Sequence, residues 1–161
     1  MFFLPYDRAK AVRYARKWAL YRNPAYYDFE LLGGDCTNFA SQCIFAGCGV
    51  MNLTPTFGWY YRSSYDRAPA WTDVDFLFDF LTNNKGVGPF GREIGSRDIL
   101  PGDIVQFGKQ SGDFYHSPVI TETHPEILVC AHSRDRLDAP LSSYLYERVR
   151  FIRIDGARRD G

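Results

Sequence analysis

The first hydrophobic rhythm along the chain has a helical period. Between Asp7 and Tyr21, Ala11, Tyr14, Ala15 and Trp18 recur on one stripe while Arg13, Arg16 and Lys17 fall off it, which predicts an amphipathic helix. Asp7 supplies an N-cap side chain, and Asn23-Pro24 ends the run because a residue before proline is driven out of the helical region. Residues 24–35 read as loop, closing on Gly33-Gly34-Asp35. A second helix is expected from Cys36 to Ala46, with Phe39, Ala40, Cys43 and Ile44 as the stripe that packs on a sheet and Gly47 and Gly49 as the stop. Residues 47–70 are rich in turns and rings. Thr72 is placed to cap a third helix through Leu81, with Asp75 completing a carboxylate variant of the capping box.

The pattern then turns to strands. Leu100-Pro101-Gly102-Asp103 reads as a turn, and Ile104–Phe107, His116–Thr121, Ile127–Ala131 and Val149–Ile154 as four apolar strands. Helices first and an antiparallel sheet second is an α+β plan. No repeat or Gly/Ser linker divides it, and 161 residues suit a single domain over 1–161.

Composition narrows the function classes. The chain is 45% hydrophobic and 24% charged, which is globular. Its 19 basic and 19 acidic residues balance, which argues against a nucleic-acid partner. Aromatic residues are 17% of the chain, enough for a core with wet edges or a ring-lined groove. The longest uncharged stretch, Cys36–Tyr61, carries polar residues and glycines and predicts no membrane span. Met1 to Asp7 has neither the basic nor the long apolar region of a signal peptide, so the compartment stays open. Four cysteines permit two disulfides, but a chain this long does not need them.

The most informative segment is Gly33-Gly34-Asp35-Cys36-Thr37-Asn38-Phe39-Ala40-Ser41-Gln42. Two glycines allow a sharp turn, and the cysteine then falls in the first turn of a helix. Free N–H groups and the positive dipole end there favour a thiolate, which predicts a lowered pKa for Cys36. A free cysteine is more often simply core, so a nucleophile needs a partner base. Of the three histidines, His124 falls in a turn, whereas His116 opens one predicted strand and His132 closes the next. If those strands form a hairpin centred on residue 124, His116 and His132 stand opposite each other on one face. One imidazole then serves the thiol and the other holds its ring, as in a cysteine-protease triad. A one-residue slip in register would break that pairing.

The same atoms suggest a rival zinc site, Cys36, His116 and His132 with Cys43 or Cys130. The cysteine gaps of six, four and 81 residues lack the close pairing of structural zinc ligands. No metal or other cofactor is expected. Trp59-Tyr60-Tyr61 and Trp71 are core by default, and also the stretch able to form a stacking wall for a sugar or peptide.

Gly33 to Cys43, followed by Ala46-Gly47, resembles the signature of the putative amidase-like domain of bacteria, of papain-like fold and close to the NlpC-type and CHAP cell-wall hydrolases. Trp18-Ala19-Leu20, Asn23 to Tyr27, Trp59 to Tyr61, Trp71, Gly102 to Val105 and His116 to Thr121 follow in the order that family shows, so the likeness covers residues 10–154. The resemblance implies a papain-like α+β fold with the Cys36 helix on an antiparallel sheet. It implies Cys36 as nucleophile, His116 as general base and His132 as the orienting residue, with Asp135 the alternative for that third position. The Cys36 backbone N–H would serve the oxyanion. Glu30 stands where papain-like enzymes often carry a glutamine, so Tyr26 or Tyr27 is the alternative second donor. Trp59 and Tyr60 are candidate substrate contacts. Pro118 breaks the ladder two residues after His116, so that strand should be irregular or at an edge.

The expected activity is cysteine-dependent hydrolysis of an amide or peptide bond in cell-wall peptidoglycan by a monomer. Acyl transfer to an amine through the same triad, as in a transglutaminase, is one alternative; a cell-wall binding module that has lost catalysis is the other.

Overall fold

The computed structural model describes residues 1–161. A short strand, β1 (Phe2–Leu4), leads into α1 (Arg8–Trp18), and α2 (Cys36–Cys48) follows a long loop. A small ribbon of β2 (Tyr61–Ser63) and β3 (Asp66–Arg67) precedes α3 (Pro69–Thr72) and α4 (Val74–Asn83). Apart from a 3₁₀ turn at Leu141–Ser143, the remaining elements are strands: β4 (Gly88–Ile94), β5 (Ile104–Gly108), β6 (Phe114–His116), β7 (Val119–Glu122), β8 (Leu128–Ala131), β9 (Arg136–Pro140) and the long β10 (Arg148–Arg159). Eight of these form one antiparallel sheet in the order β1-β10-β5-β7-β8-β9, with β4 also on β10 and β6 also on β5. The fold is α+β with a curled antiparallel sheet and few helices. None of the helices is long and apolar enough to cross a membrane.

Local signals explain most of the helix ends. Asp7 accepts from the Lys10 N–H at 3.0 Å and caps α1. Thr72, expected to cap the third helix, instead ends the single turn α3 and accepts from Arg67 Nε at 3.1 Å. The cap of α4 is Asp73, whose Oδ2 takes the Phe76 N–H at 2.9 Å; two Asx/Thr side chains stood adjacent and the carboxylate won. Gly49 closes α2 in the left-handed conformation (φ 71°), its N–H bonded to Phe45 O.

The sheet separates two apolar layers. On the helical side Ala15, Phe39, Ile44, Trp59, Trp71, Leu77 and Leu81 meet Ile104, Val119, Cys130, Ile152 and Ile154. On the other side Val105, Phe107, Ile120, Val129, Leu141 and Phe151 form a smaller cluster. Strand β5 shows the alternation directly. Ile104 and Val105 belong to opposite layers, and Gln106 faces the helices, where its Nε2 donates to Val74 O at 3.0 Å.

The expected strand 116–121 is divided. His116 ends β6, opposite Phe107 of β5, while β7 begins at Val119, and Ser117-Pro118 carries the break. The hairpin of β7 and β8 pairs Val119 with Cys130 and Ile120 with Val129. That register is one residue away from a centre at residue 124, and continued back it sets His132 against Ser117 rather than His116. Because side chains alternate, this single step puts the two imidazoles on different faces.

Candidate active site

Cys36 is the first residue of a helix whose first nine residues are all buried. The turn before it uses both glycines in the left-handed region, Gly33 at φ 95° and Gly34 at φ 102°; a Cβ on Gly34 would lie 3.0 Å from Ser133 Oγ. The sulfur rests against the end of β6. Its thiol donates to Tyr115 O at 3.9 Å, and the Ser117 backbone N–H donates to the sulfur. These are the residues on either side of His116. No hydrogen bond joins the sulfur to the His116 ring.

The sulfur also ends a buried polar chain. Arg150 Nε donates to Gln106 Oε1 at 2.7 Å, and Gln106 Nε2 donates to Ser117 Oγ at 3.1 Å. With that oxygen already accepting, the Ser117 hydroxyl is free to donate to Thr37 Oγ1 at 3.2 Å, and Thr37 to the sulfur at 3.7 Å. Every donor in the series can point toward Cys36, with a guanidinium at the far end. Such a series polarises in one direction and favours negative charge on sulfur. Burial nevertheless dominates, and with Asp35 adding to it the Cys36 pKa stands above the ordinary value. The helix N-terminus and its hydroxyls moderate the shift without reversing it, so the resting group is a thiol.

His116 is buried, with its ring 5.9 Å from both the Phe107 and Tyr144 rings, and no group donates to or accepts from its nitrogens. Burial alone lowers its pKa from 6.5 to about 4, so the imidazole is neutral at neutral pH. Between those two values the unfolded chain binds the proton and the folded chain does not, so this group's effect on stability appears as pH falls. We expect about 2–3 kcal/mol to be lost between pH 7.5 and 4.5 through this residue. Urea unfolding of the native chain and His116→Ala at both pH values measures it; the variant should lack this component.

His132 does not orient His116. It is 1% exposed, stacks on Phe39 at 4.1 Å between ring centroids, and commits both nitrogens elsewhere. Nε2 donates to Trp18 O at 2.8 Å, and Nδ1 lies 2.5 Å from Asp35 Oδ2 with a proton between them. The one-residue shift in register is the cause. Asp135 is equally engaged, holding Arg22 through both oxygens at 2.9 and 3.1 Å. Arg22 in turn stands within 4 Å of Asp28, Glu30 and Asp35.

Asp35 was legible only as part of the cysteine motif, yet it organises the helix start. Its Oδ1 accepts from the Phe29 N–H at 2.8 Å and from Asn38 Nδ2 at 2.9 Å, while its own N–H donates to Ser133 Oγ at 3.0 Å. Asn38 also donates to Tyr27 O at 3.0 Å and accepts from the Trp71 indole at 2.9 Å. Thus Tyr27 is tied by its backbone to the mouth of α2, with an exposed ring, whereas Tyr26 is half-buried and stacks on Trp71. Trp59 is fully buried and donates to Ser41 Oγ at 3.0 Å, and Tyr60 is 8% exposed beneath Arg62. Both are packing residues, and neither lines the cavity next to His116. All four cysteines are free, and no cluster of His, Cys, Asp and Glu is arranged to hold a metal.

That cavity, of about 800 Å³, is lined by Phe107, Tyr115 and His116 on one side and by Ser133, Arg134 and Arg136 on another. Tyr144 borders it too, and its buried hydroxyl has no hydrogen-bond partner. A thiol at a helix start, a neutral imidazole one residue from its contacts and an adjoining open cavity are the parts that amide hydrolysis by a nucleophile requires.

Comparison with known proteins agrees at the level of family. No solved structure matches the chain significantly. The uncharacterized protein YhbB of Bacillus subtilis (strain 168) is 34% identical over 119 residues, which are 71% of this chain and 37% of that protein. The chain therefore spans well under half the length of that relative. The family model described as "Putative amidase domain" matches residues 5–154, from the residue after β1 to the middle of β10, and so takes in every residue of the site. By that match, the chain belongs to the putative amidase domain family.

Proposed function

We propose that this chain is a cysteine-dependent amide hydrolase of papain-like fold, forming one domain over 1–161, with Cys36 as nucleophile and His116 as general base. The observation that carries the reading is the seat of the Cys36 sulfur on the backbone of Tyr115 and Ser117, which flank a histidine kept neutral by burial. A neutral imidazole has the free lone pair a base needs. Its ring is held by no hydrogen bond and borders the cavity, so rotation about its side-chain bonds brings a nitrogen to the sulfur once substrate is seated. The thiol proton then passes to His116 as the sulfur attacks the carbonyl, rather than from a standing thiolate–imidazolium pair. The acyl group is held on Cys36, the amine leaves with the proton from His116, and water completes the cycle. Backbone N–H groups at the start of α2 and the segment around Tyr27 take the oxyanion.

The third position belongs to Tyr144 in this reading. Its hydroxyl, on a ring 5.9 Å from that of His116, has no partner in the resting structure and takes the N–H of the nitrogen not used as base once the imidazole has turned to the sulfur. His132 acts one step back, fixing Asp35 and through it the residue that follows. The amide taken is that of a peptidoglycan stem peptide, the substrate class of the hydrolases whose cysteine signature this chain resembles, and the enzyme works as a monomer.

Mass spectrometry of digested cell-wall fragments tests the activity. We expect His116→Ala to lose about 10²–10⁴-fold in rate and His124→Ala to be nearly silent. The acid limb of the native rate profile should fall near the lowered pKa of His116, about 4, rather than near 6.5. Equal behaviour of the two variants would remove His116 from the mechanism, and products joined to added amine would mark acyl transfer instead.

A further inference from the structure

We propose that Arg134 and Arg136 make the cavity beside His116 selective for substrates that carry a carboxylate close to the amide being cleaved. The inference rests on the reading of Cys36 and His116 as the catalytic pair, and adds to it the charge of what they act on.

The cavity has an unbalanced charge. Arg134 lines it and makes no hydrogen bond or ion pair. Arg136 donates to Ser143 Oγ at 2.8 Å and lies 5.0 Å over the Tyr144 ring, and no carboxylate comes within 4 Å of it. The one carboxylate in the lining, Glu30, pairs with neither arginine: its Oε2 accepts from Ser133 Oγ at 2.9 Å, and its Oε1 faces Arg22 at 3.6 Å, a guanidinium it shares with Asp28, Asp35 and Asp135. Two guanidinium groups therefore border the space next to the base against a single carboxylate, and neither is ion-paired. Guanidinium is the side chain that grips a carboxylate by two parallel hydrogen bonds.

The backbone that carries Arg134 is fixed relative to the nucleophile. Arg134 stands in the tight connection of β8 and β9, where Ser133 and Arg134 both adopt left-handed backbone (φ 62° and 67°). Every neighbour in that turn is tied toward the Cys36 helix. His132 holds Asp35 Oδ2, Ser133 accepts from the Asp35 N–H, and Asp135 clamps Arg22. A hairpin fastened to the residue before the nucleophile holds the backbone of its tip arginine in place and leaves the side chain free to reach into the cavity. The rest of the wall is Phe107, Tyr115, Tyr144 and the exposed Leu145, together with Ser133 and Ser143. An occupant that satisfies both halves has an apolar body and an acidic group, as an acidic peptide does.

The test uses the full chain with Cys36→Ser, so that binding is read without turnover. It is titrated with a blocked alanyl-glutamyl-alanine amide and with the glutaminyl counterpart, followed by amide chemical shifts at low and high salt. We expect the glutamyl peptide to bind at least about tenfold more tightly at low salt, with the advantage shrinking as salt rises. Arg134→Gln together with Arg136→Gln should bring the two affinities within about twofold. Arg136 packs on Tyr144, so Arg134→Gln alone, at a side chain without a hydrogen bond or ion pair, must also reduce the preference. Equal affinities, binding of neither peptide at millimolar concentration, or a preference that survives the double substitution would overturn the proposal. Failure of the catalytic reading shows separately, as an unreactive Cys36 in the unsubstituted chain.

Discussion

Cys36→Ala is expected to abolish amide hydrolysis, with a loss of at least about 10⁴-fold, because removal of a nucleophile leaves only binding and oxyanion stabilisation. The fold should survive. Cys36 is buried at a helix start, and the substitution removes one sulfur while leaving the backbone contacts of Asp35 and Thr37 in place. The same residue should be the first to react with iodoacetamide. Cys43 lies in the core with its pKa pushed well above the ordinary thiol value, and burial pushes Cys48 and Cys130 up to about 11. Cys36 is raised as well, but the Thr37 hydroxyl and the Ser117 N–H favour its thiolate, and the Tyr115–His116 segment beside it opens to the cavity. Peptide mapping after brief alkylation near neutral pH gives the order, and equal labelling of all four cysteines would count against a specialised thiol.

The second large effect is on stability. Asp35→Ala should cost about 3–5 kcal/mol, the range for removing one partner of a buried ion pair. The substitution strands the Phe29 N–H and His132 Nδ1 and leaves Asn38 Nδ2 with only its bond to Tyr27 O. For a chain of this size that is a fall in Tm of roughly 10 °C. Asp35→Asn, which keeps a carbonyl acceptor and offers an N–H, should recover part of the loss. His132→Ala should cost less than Asp35→Ala, because Arg22 still faces Asp35 Oδ2 at 3.6 Å. A double-mutant cycle between Asp35 and His132 gives the coupling directly, and a value near zero would mean that the short contact contributes nothing to the fold.

What the sequence carries by itself depends on how far each signal reaches along the chain. The 3.6-residue stripes of α1 and α2, the Asp7 cap and the left-handed glycines before Cys36 depend on neighbours a few residues away, and they appear where the pattern puts them. Strands β4, β6 and β9 were not legible. Each is short or interrupted by glycine or proline, and each exists because a partner edge is available. Strand β10 runs on to Arg159 for the same reason: β1 and β4 pair with its second half, where hydrophobic alternation alone had stopped at Ile154.

The candidate site divides the same way. A cysteine in the first turn of a helix is a local fact, and the sequence by itself determined it, together with the α+β order of elements. The roles around that cysteine depended on register and burial, which are sums over distant parts. One residue of offset between β7 and β8 sent His132 to Asp35 and left His116 facing Phe107 and Tyr144. Burial, which only the packed molecule has, outweighed the helix N-terminus in setting the thiol and removed the charge from the imidazole. Periodicity records which face of an element is apolar; it holds no information on which residue of another strand will stand opposite, because that choice is made by the sheet as a whole.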